Sequence, residues 1–382
     1  MAHILLLFFF KLISVKPTLR DIPYFLACIL AMASGWTGLP NPVEASCGSA
    51  SCFVVVNSQS SGSPKGTLTV NGIYTYVPQG TLLSGTTGII PAVETDSREL
   101  ILGDHKEKRT ISQQYTLDLN YGLTDSITLE LTMPYKVMLH RHIQDIGREG
   151  PNGEGVPTLF TDNGLGDMIL TTKYTYLPTI RNLLVPGFGI QLPTGKFHGK
   201  INGTDETQEP GIQLGRGNVA LLASLYQSYE IIPHRLNQFS SIGYRHTFRN
   251  NLGYQFGDRY TASVGLNFRA FEWLVLNGQF NYRLVSHDNF SSSLSRAPTP
   301  SDPEFGTEEA VVIDPTIKDR RVPTTGSTIL MFSPGFSVNA WQGISFYFNA
   351  QIPMVRDFNG NLAQGVSYLF GFTKTFQVGS PF

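Results

Sequence analysis

Polar and apolar residues alternate along most of the chain, in runs of roughly 11 to 14 residues. In the clearest run, residues 110–122, Leu117 and Leu119 fall on one face and Asp118 and Asn120 on the other. A period of two is the pattern of a β-strand with one apolar and one polar face. Strands of soluble proteins usually have about 5–6 residues, whereas a tilted transmembrane strand needs about 10. The runs therefore predict transmembrane β-strands.

The connections between these runs alternate between long and short. The links Gly122–Asp125 and 271–272 are short, whereas 139–165 and 286–325 are long. Outer-membrane β-barrels have short periplasmic turns, long outer loops and an even strand number, whereas soluble β-sandwiches and propellers do not separate loops by length. The sequence predicts an all-β fold: a transmembrane, antiparallel, up-and-down β-barrel in the outer membrane of a Gram-negative bacterium. The predicted strands, about twelve, lie near 67–77, 110–122, 125–138, 166–177, 183–193, 217–229, 237–249, 258–270, 273–285, 326–339, 344–355 and 365–376.

The composition agrees with this prediction. Charged residues make up 15% of the sequence, below the roughly 25% of a soluble domain, and the mean hydropathy is close to zero. No apolar run after the first 45 residues reaches the length of a transmembrane helix. Lys and Arg (28) nearly balance Asp and Glu (29), so the basic excess of a nucleic-acid-binding protein is absent.

The N-terminal region has the pattern of a signal peptide. Its second apolar run, Tyr24–Trp36, is too short to span a bilayer, and small residues at Val43 and Ala45 follow it. We therefore expect a signal peptide over residues 1–45, with an uncleaved anchor as the alternative. Residues 46–66 are rich in Gly and Ser and are predicted to form a periplasmic or lumen-plugging segment, and residues 67–382 form the barrel.

Few residues suggest covalent or metal chemistry. Cys47 and Cys52 lie close together and are candidates for a disulfide in an oxidising compartment, but two sulfurs do not complete a zinc site. His140, His142 and Asp145 would need a further ligand, so they are interpreted as part of a solvated loop. No Gly-x-Ser-x-Gly motif is present. We predict no enzyme activity, no cofactor and no metal.

The last predicted strand is rich in aromatic residues. It contains Gly365, Tyr368 and Phe370, and the sequence closes on Phe382. This arrangement resembles the C-terminal signal of outer-membrane barrels, which implies the barrel assembly machinery as a partner. An aromatic strand without a signalling role is the alternative.

Three glycine-containing motifs occur in order beside predicted strands: Gly164–Tyr174, Leu192–Lys196 and Leu214–Asn218. Over residues 110–285 this order resembles the outer-membrane β-barrel transporters linked to the MetA pathway of phenol degradation. The resemblance implies a channel for hydrophobic compounds, and it does not establish phenol as the ligand.

If the apolar faces contact outer-membrane lipid, the polar faces line the lumen. Their charges either seal the barrel or line a polar path. We expect an outer-membrane channel or transporter for a small solute, with hydrophobic and aromatic compounds as candidates. The alternative is a structural barrel that docks a partner, such as a periplasmic protein, without transport of its own. The predicted lumen-lining charged residues are Asp118, Glu130, Lys136, Arg245, Arg269 and Arg283.

Overall fold

A computed structural model describes most of the protein from residue 62 onward. The described residues are 62–82, 89–94, 100–144, 156–200, 206–291, 321–322, 325–340, 343–358 and 362–379. The predicted signal peptide, the Cys47–Cys52 pair and Phe382 lie outside these ranges. Within them, no helix has both the length and the apolar character needed to cross a bilayer.

Most of the described residues lie in β-strands, and the alternating sequence pattern explains why. A single turn of 3-10 helix covers Pro210–Ile212. The strands are β1 Thr67–Leu82, β2 Ile89–Glu94, β3 Leu100–Gly122, β4 Ile127–Gln144, β5 Val156–Leu165, β6 Met168–Tyr174, β7 Tyr176–Thr179, β8 Asn182–Leu192, β9 Glu206–Thr207, β10 Ala220–Ile232, β11 Leu236–Thr247, β12 Tyr254–Gln255, β13 Arg259–Phe271, β14 Leu274–Val285, β15 Asn289–Phe290, β16 Ser327–Asn339, β17 Ile344–Phe358, β18 Leu362–Gln364 and β19 Ser367–Gln377.

Twelve of these strands form a closed barrel. The hydrogen-bonded order is β1-β3-β4-β6-β8-β10-β11-β13-β14-β16-β17-β19, and every neighbouring pair is antiparallel. The barrel closes because β19 also pairs with β1, with Thr67 opposite Gln377. Closure leaves no unpaired strand edge, as a lipid environment requires. The predicted fold is confirmed.

Two of the predicted loops are partly wrong. Strand β1 continues to Leu82 and β3 begins at Leu100, so the predicted loop 78–109 is largely strand. Likewise β4 extends to Gln144 and pairs with β5, so the predicted loop 139–165 is partly strand. The alternation is lost there, as in the charged stretch around Lys108, because a strand beyond the lipid no longer needs an apolar outer face. The ladder itself continues through backbone hydrogen bonds, which leave no side-chain signal.

The outer surface carries an apolar band. Large apolar side chains are exposed around the wall, and Phe188, with 71% of its surface exposed, is among the most exposed. Such a band faces lipid in transmembrane barrels. At the tight turn between β13 and β14, Phe271 stacks on Trp273 with ring centroids 5.6 Å apart, in the position of an interfacial girdle. The barrel thus belongs in an outer membrane, with the short turns at one end.

Candidate functional site

The lumen is packed with polar side chains. Near the end with the short turns, five of them form a connected group that we call the lower polar layer: Asn71, Asp118, Asn120, Glu130 and Lys173. Each is at most 7% exposed, and Lys173 is completely buried. Strict alternation explains this placement, because the neighbours of these residues in each strand point outward to lipid.

The lower polar layer is held together by an ion pair and several hydrogen bonds. The Nζ atom of Lys173 donates to Glu130 Oε1 at 2.7 Å and to Asn120 Oδ1 at 3.2 Å. The carboxylate of Asp118 accepts hydrogen bonds from the side chains of Asn71 and Asn120, and from the hydroxyl of Thr132. Both acids accept hydrogen bonds from donors on four neighbouring strands, β1, β3, β4 and β6, so this layer ties these strands together on the lumen side.

The beginning of the described region enters the same end of the lumen. The Ser63 amide donates to Thr128 Oγ1 at 2.8 Å, and the Thr128 hydroxyl donates back to the Ser63 carbonyl at 3.3 Å. Ser63 is 7% exposed. A Cβ atom on Gly62 would collide with the hydroxyl of Thr175, so only a glycine fits at this approach. Gly62 and Ser63 therefore lie against the inner wall.

Five cationic side chains lie farther along the lumen, toward the long loops. We call them the upper cationic layer: Lys136, Arg216, Arg245, Arg259 and Arg283. Arg245 of β11 is directly opposite Arg259 of β13. Arg283 of β14 is opposite Thr261, so it is a diagonal neighbour of Arg259. Arg269, by contrast, lies on the same face of β13 near the short turn that leads to β14.

The loop between β8 and β10 folds into the lumen and adds Arg216 to this layer. Asp167 accepts hydrogen bonds from the amides of Gly195 and Arg216 at 3.0 and 2.9 Å, and so fixes the two ends of the loop. The Nζ atom of Lys136 donates to the Leu214 carbonyl at 2.6 Å. Tertiary contacts to the barrel wall therefore hold this loop in place.

A small cleft opens beside this loop. It is lined by Phe197, Arg216, Tyr254 and Phe256 among others. It is nearly filled, because Tyr254 and Phe256 pack in a buried cluster with Leu252, Phe290 and Val322. The guanidinium of Arg216 lies 4.4 Å from the ring centroid of Phe256, in cation–π geometry. Arg216 thus packs against the buried aromatic cluster of the outer loops.

An outer-loop carboxylate lies next to this cleft. Asp288 accepts hydrogen bonds from the Tyr254 hydroxyl at 2.6 Å and from the Gly257 amide at 2.7 Å. Burial raises the pKa of Asp288, although these hydrogen bonds and the charge of Arg216 oppose the shift. Burial also raises the pKa of Tyr254 well above its usual value, so the Tyr254 hydroxyl remains a donor.

The interpretation of His140 and His142 as part of a solvated loop is wrong. Both lie in β4 with side chains turned inward, and they are 1% and 4% exposed. The Nδ1 atom of His140 is 2.9 Å from Thr110 Oγ1, and its Nε2 atom is 3.7 Å from Glu209 Oε1. Asp145 lies outside the described residues. Among those described, no three acidic, His or Cys side chains are grouped as metal ligands.

The sequence analysis did not identify three charged residues of the two layers: Lys173, Arg216 and Arg259. Lys173 and Arg259 fall on the polar faces of predicted strands, so the alternation itself contains the signal for them. Arg216 has no such signal, because it precedes β10 and reaches the lumen only through loop folding.

Comparisons with known proteins concern the fold alone. No protein-family model matches the chain, and no curated protein matches it. An outer membrane channel from Pseudomonas putida F1 is similar in structure, with a TM-score of 0.53 and 11% identity over 83% of this chain and 97% of that chain. The structural alignment with the NanC porin covers 80% of this chain and 98% of the porin chain, with 10% identity and a TM-score of 0.38. The likeness to the P. putida channel shows that the protein has the fold of an outer-membrane channel.

Proposed function

We propose that the protein is an outer-membrane channel for a small solute with apolar or aromatic character. The observation that carries this proposal is the closed twelve-strand barrel with a lumen lined by polar side chains, in the fold of an outer-membrane channel. The resemblance to transporters linked to phenol degradation supports the same substrate class.

We further propose that residues 46–66 act as a plug. The contacts of Ser63 with Thr128 support this role, because they hold residue 63 of this segment against the inner wall of the barrel. Deletion of residues 46–62 is expected to increase the single-channel conductance of the refolded barrel in planar bilayers, since the proposed plug would then be absent.

The experiment compares the mature protein with the deletion variant in bilayers, and it measures uptake of a neutral aromatic solute into proteoliposomes. Faster uptake than in protein-free liposomes supports the channel. Unchanged conductance after the deletion would contradict the plug. A barrel that stays sealed in both forms and admits no solute would contradict the channel and favour the alternative, a barrel that docks a periplasmic partner.

A further inference from the structure

The outer surface of the β3–β4 ladder ends in a pair of arginines. On β4, every second residue from Leu129 to Leu139 is apolar or aromatic and lies on the outward face. The next outward position toward the long loops is Arg141, and it is directly opposite Arg109 of β3. Both arginines are exposed. The cations therefore begin where the apolar face of this ladder ends.

The pair lies at the level of the lipid headgroups. Leu129 is close to Ile127, where β4 leaves the short turn. The stretch from Leu129 to Arg141 spans about 40 Å along the strand, at about 3.3 Å per residue. A tilt of about 35–45° reduces this length to about 28–33 Å along the membrane normal, whereas the apolar band of such barrels is about 25 Å tall. With Leu129 at the inner edge of the band, Arg141 lies just above its outer edge.

The two arginines have no anionic partner in the part of the protein that the structure describes. No salt bridge there involves Arg109 or Arg141. Glu107, the nearest acidic residue along β3, is in register with the inward-facing His142 rather than with this pair. The β-bulge next to Arg109 adds a third exposed cation, Lys108. Like charges directly opposite in a ladder are destabilising, so an anion between the two guanidiniums would stabilise this site.

A lipid phosphate matches the pair in charge and in position. A guanidinium binds phosphate through a fork of donors, and side chains directly opposite in a ladder are close enough to reach one phosphate together. Leu159 of β5 is directly opposite Arg141 on its other side and is 48% exposed. Acyl chains of the same lipid would cover Leu139 and Leu159, whereas a free phosphate ion would leave this apolar surface unused.

The outer leaflet of a Gram-negative outer membrane contains lipopolysaccharide, whose lipid A part has phosphate groups above its acyl chains. We propose that Arg109 and Arg141, with Lys108 beside them, bind a phosphate of lipid A. The bound lipid holds the part of the β3–β4 ladder that extends beyond the bilayer against the membrane surface. The site is on the outside of the wall, so it does not depend on the proposed channel.

Native mass spectrometry of the refolded, lipid-free barrel, titrated with diphosphoryl lipid A, tests the proposal. Lipid A without its phosphates is the ligand control. We expect the phosphorylated lipid to bind at least about tenfold more tightly, because charge-assisted hydrogen bonds are strong. Arg109→Gln and Arg141→Gln are each expected to weaken its binding about fivefold, and the double variant about thirtyfold. Binding of the dephosphorylated lipid should not change.

Arg181→Gln is the matched protein control, since Arg181 lies exposed in the short turn between β7 and β8, at the other end of the barrel. It is expected to bind diphosphoryl lipid A like the unaltered barrel. The heat-modifiable gel shift of each variant shows whether the barrel has folded. In lipid-free detergent, neither Arg109→Gln nor Arg141→Gln should lower the urea midpoint of unfolding, because each removes a repulsion rather than a contact.

Equal affinity for the two forms of lipid A would overturn the proposal. An Arg181→Gln variant that binds as weakly as Arg141→Gln would show attraction by any surface cation, and would overturn it as well. Displacement of the lipid by inorganic phosphate at equal concentration would indicate a site for free anions and refute the lipid as its occupant. A lower urea midpoint of both arginine variants without lipid would mean that the pair serves the fold instead.

Discussion

Replacement of Lys173 by Met is expected to destabilise the barrel strongly. The Lys173–Glu130 ion pair has an N–O distance of 2.7 Å, and its two side chains are 0% and 2% exposed. Met fills nearly the same volume as the lysine stem, so the change removes mainly the charge and the hydrogen bonds. The carboxylate of Glu130 then remains buried with the carboxylate of Asp118 nearby and no counter-ion.

The size of the effect follows from this geometry. Removal of one partner of a buried ion pair costs about 3–5 kcal/mol, mostly because the other charge stays buried and unpaired. The double variant Lys173→Met with Glu130→Gln removes both charges, and we expect it to recover part of the lost stability. A simple loss of packing would instead make the double variant less stable than the single one.

The assay is urea unfolding of the refolded barrel in detergent micelles, followed by tryptophan fluorescence. The matched control is Lys196→Met, because the Lys196–Asp162 pair is similar in chemistry but its lysine side chain is 57% exposed. An exposed pair contributes about 0–1 kcal/mol, so this control should unfold almost like the unaltered barrel. If Lys173→Met also costs less than about 1 kcal/mol, the assignment of the lower polar layer as the cross-link of the barrel is wrong.

Three further outcomes are expected. Phe188→Arg puts a cation on the lipid face. If residue 188 lies near the bilayer midplane, the free energy of unfolding in lipid vesicles should fall by about 2–4 kcal/mol. An unchanged urea midpoint would argue against the lipid-facing band. Gly371→Ala should lower the free energy of unfolding in the urea assay by about 1–3 kcal/mol, because a Cβ atom there collides with the ring of Tyr347. Gly278→Ala is the control and should be tolerated, because its Cβ atom meets no atom closer than 3.8 Å. Cys47 and Cys52 should resist maleimide labelling in exported protein until a reductant is added, and labelling without reductant would exclude the disulfide.

Most of the fold could be predicted from the sequence. Each of the twelve predicted strands overlaps one strand of the barrel, because a lipid-facing strand must show its apolar face at every second residue. Strand ends beyond the lipid could not be predicted, as the extension of β3 back to Leu100 shows, since no apolar face is required there. Only part of the candidate site could be predicted from the sequence. The alternation indicates that Lys136 and Arg259 point inward, but it gives no information about Arg216.

The sequence by itself determined the class of fold, the strand number and which face of each strand meets lipid, because these depend on local periodicity and on connection length. Only the tertiary structure decided which charges meet inside the barrel. Lys173 and Glu130 lie 43 residues apart and pair only after β4 and β6 align. Arg216 joins Arg245 and Arg259 only because a loop folds inward. The separation of the lumen into a hydrogen-bonded lower polar layer and an upper cationic layer therefore depends on strand register and loop packing, which no local pattern encodes.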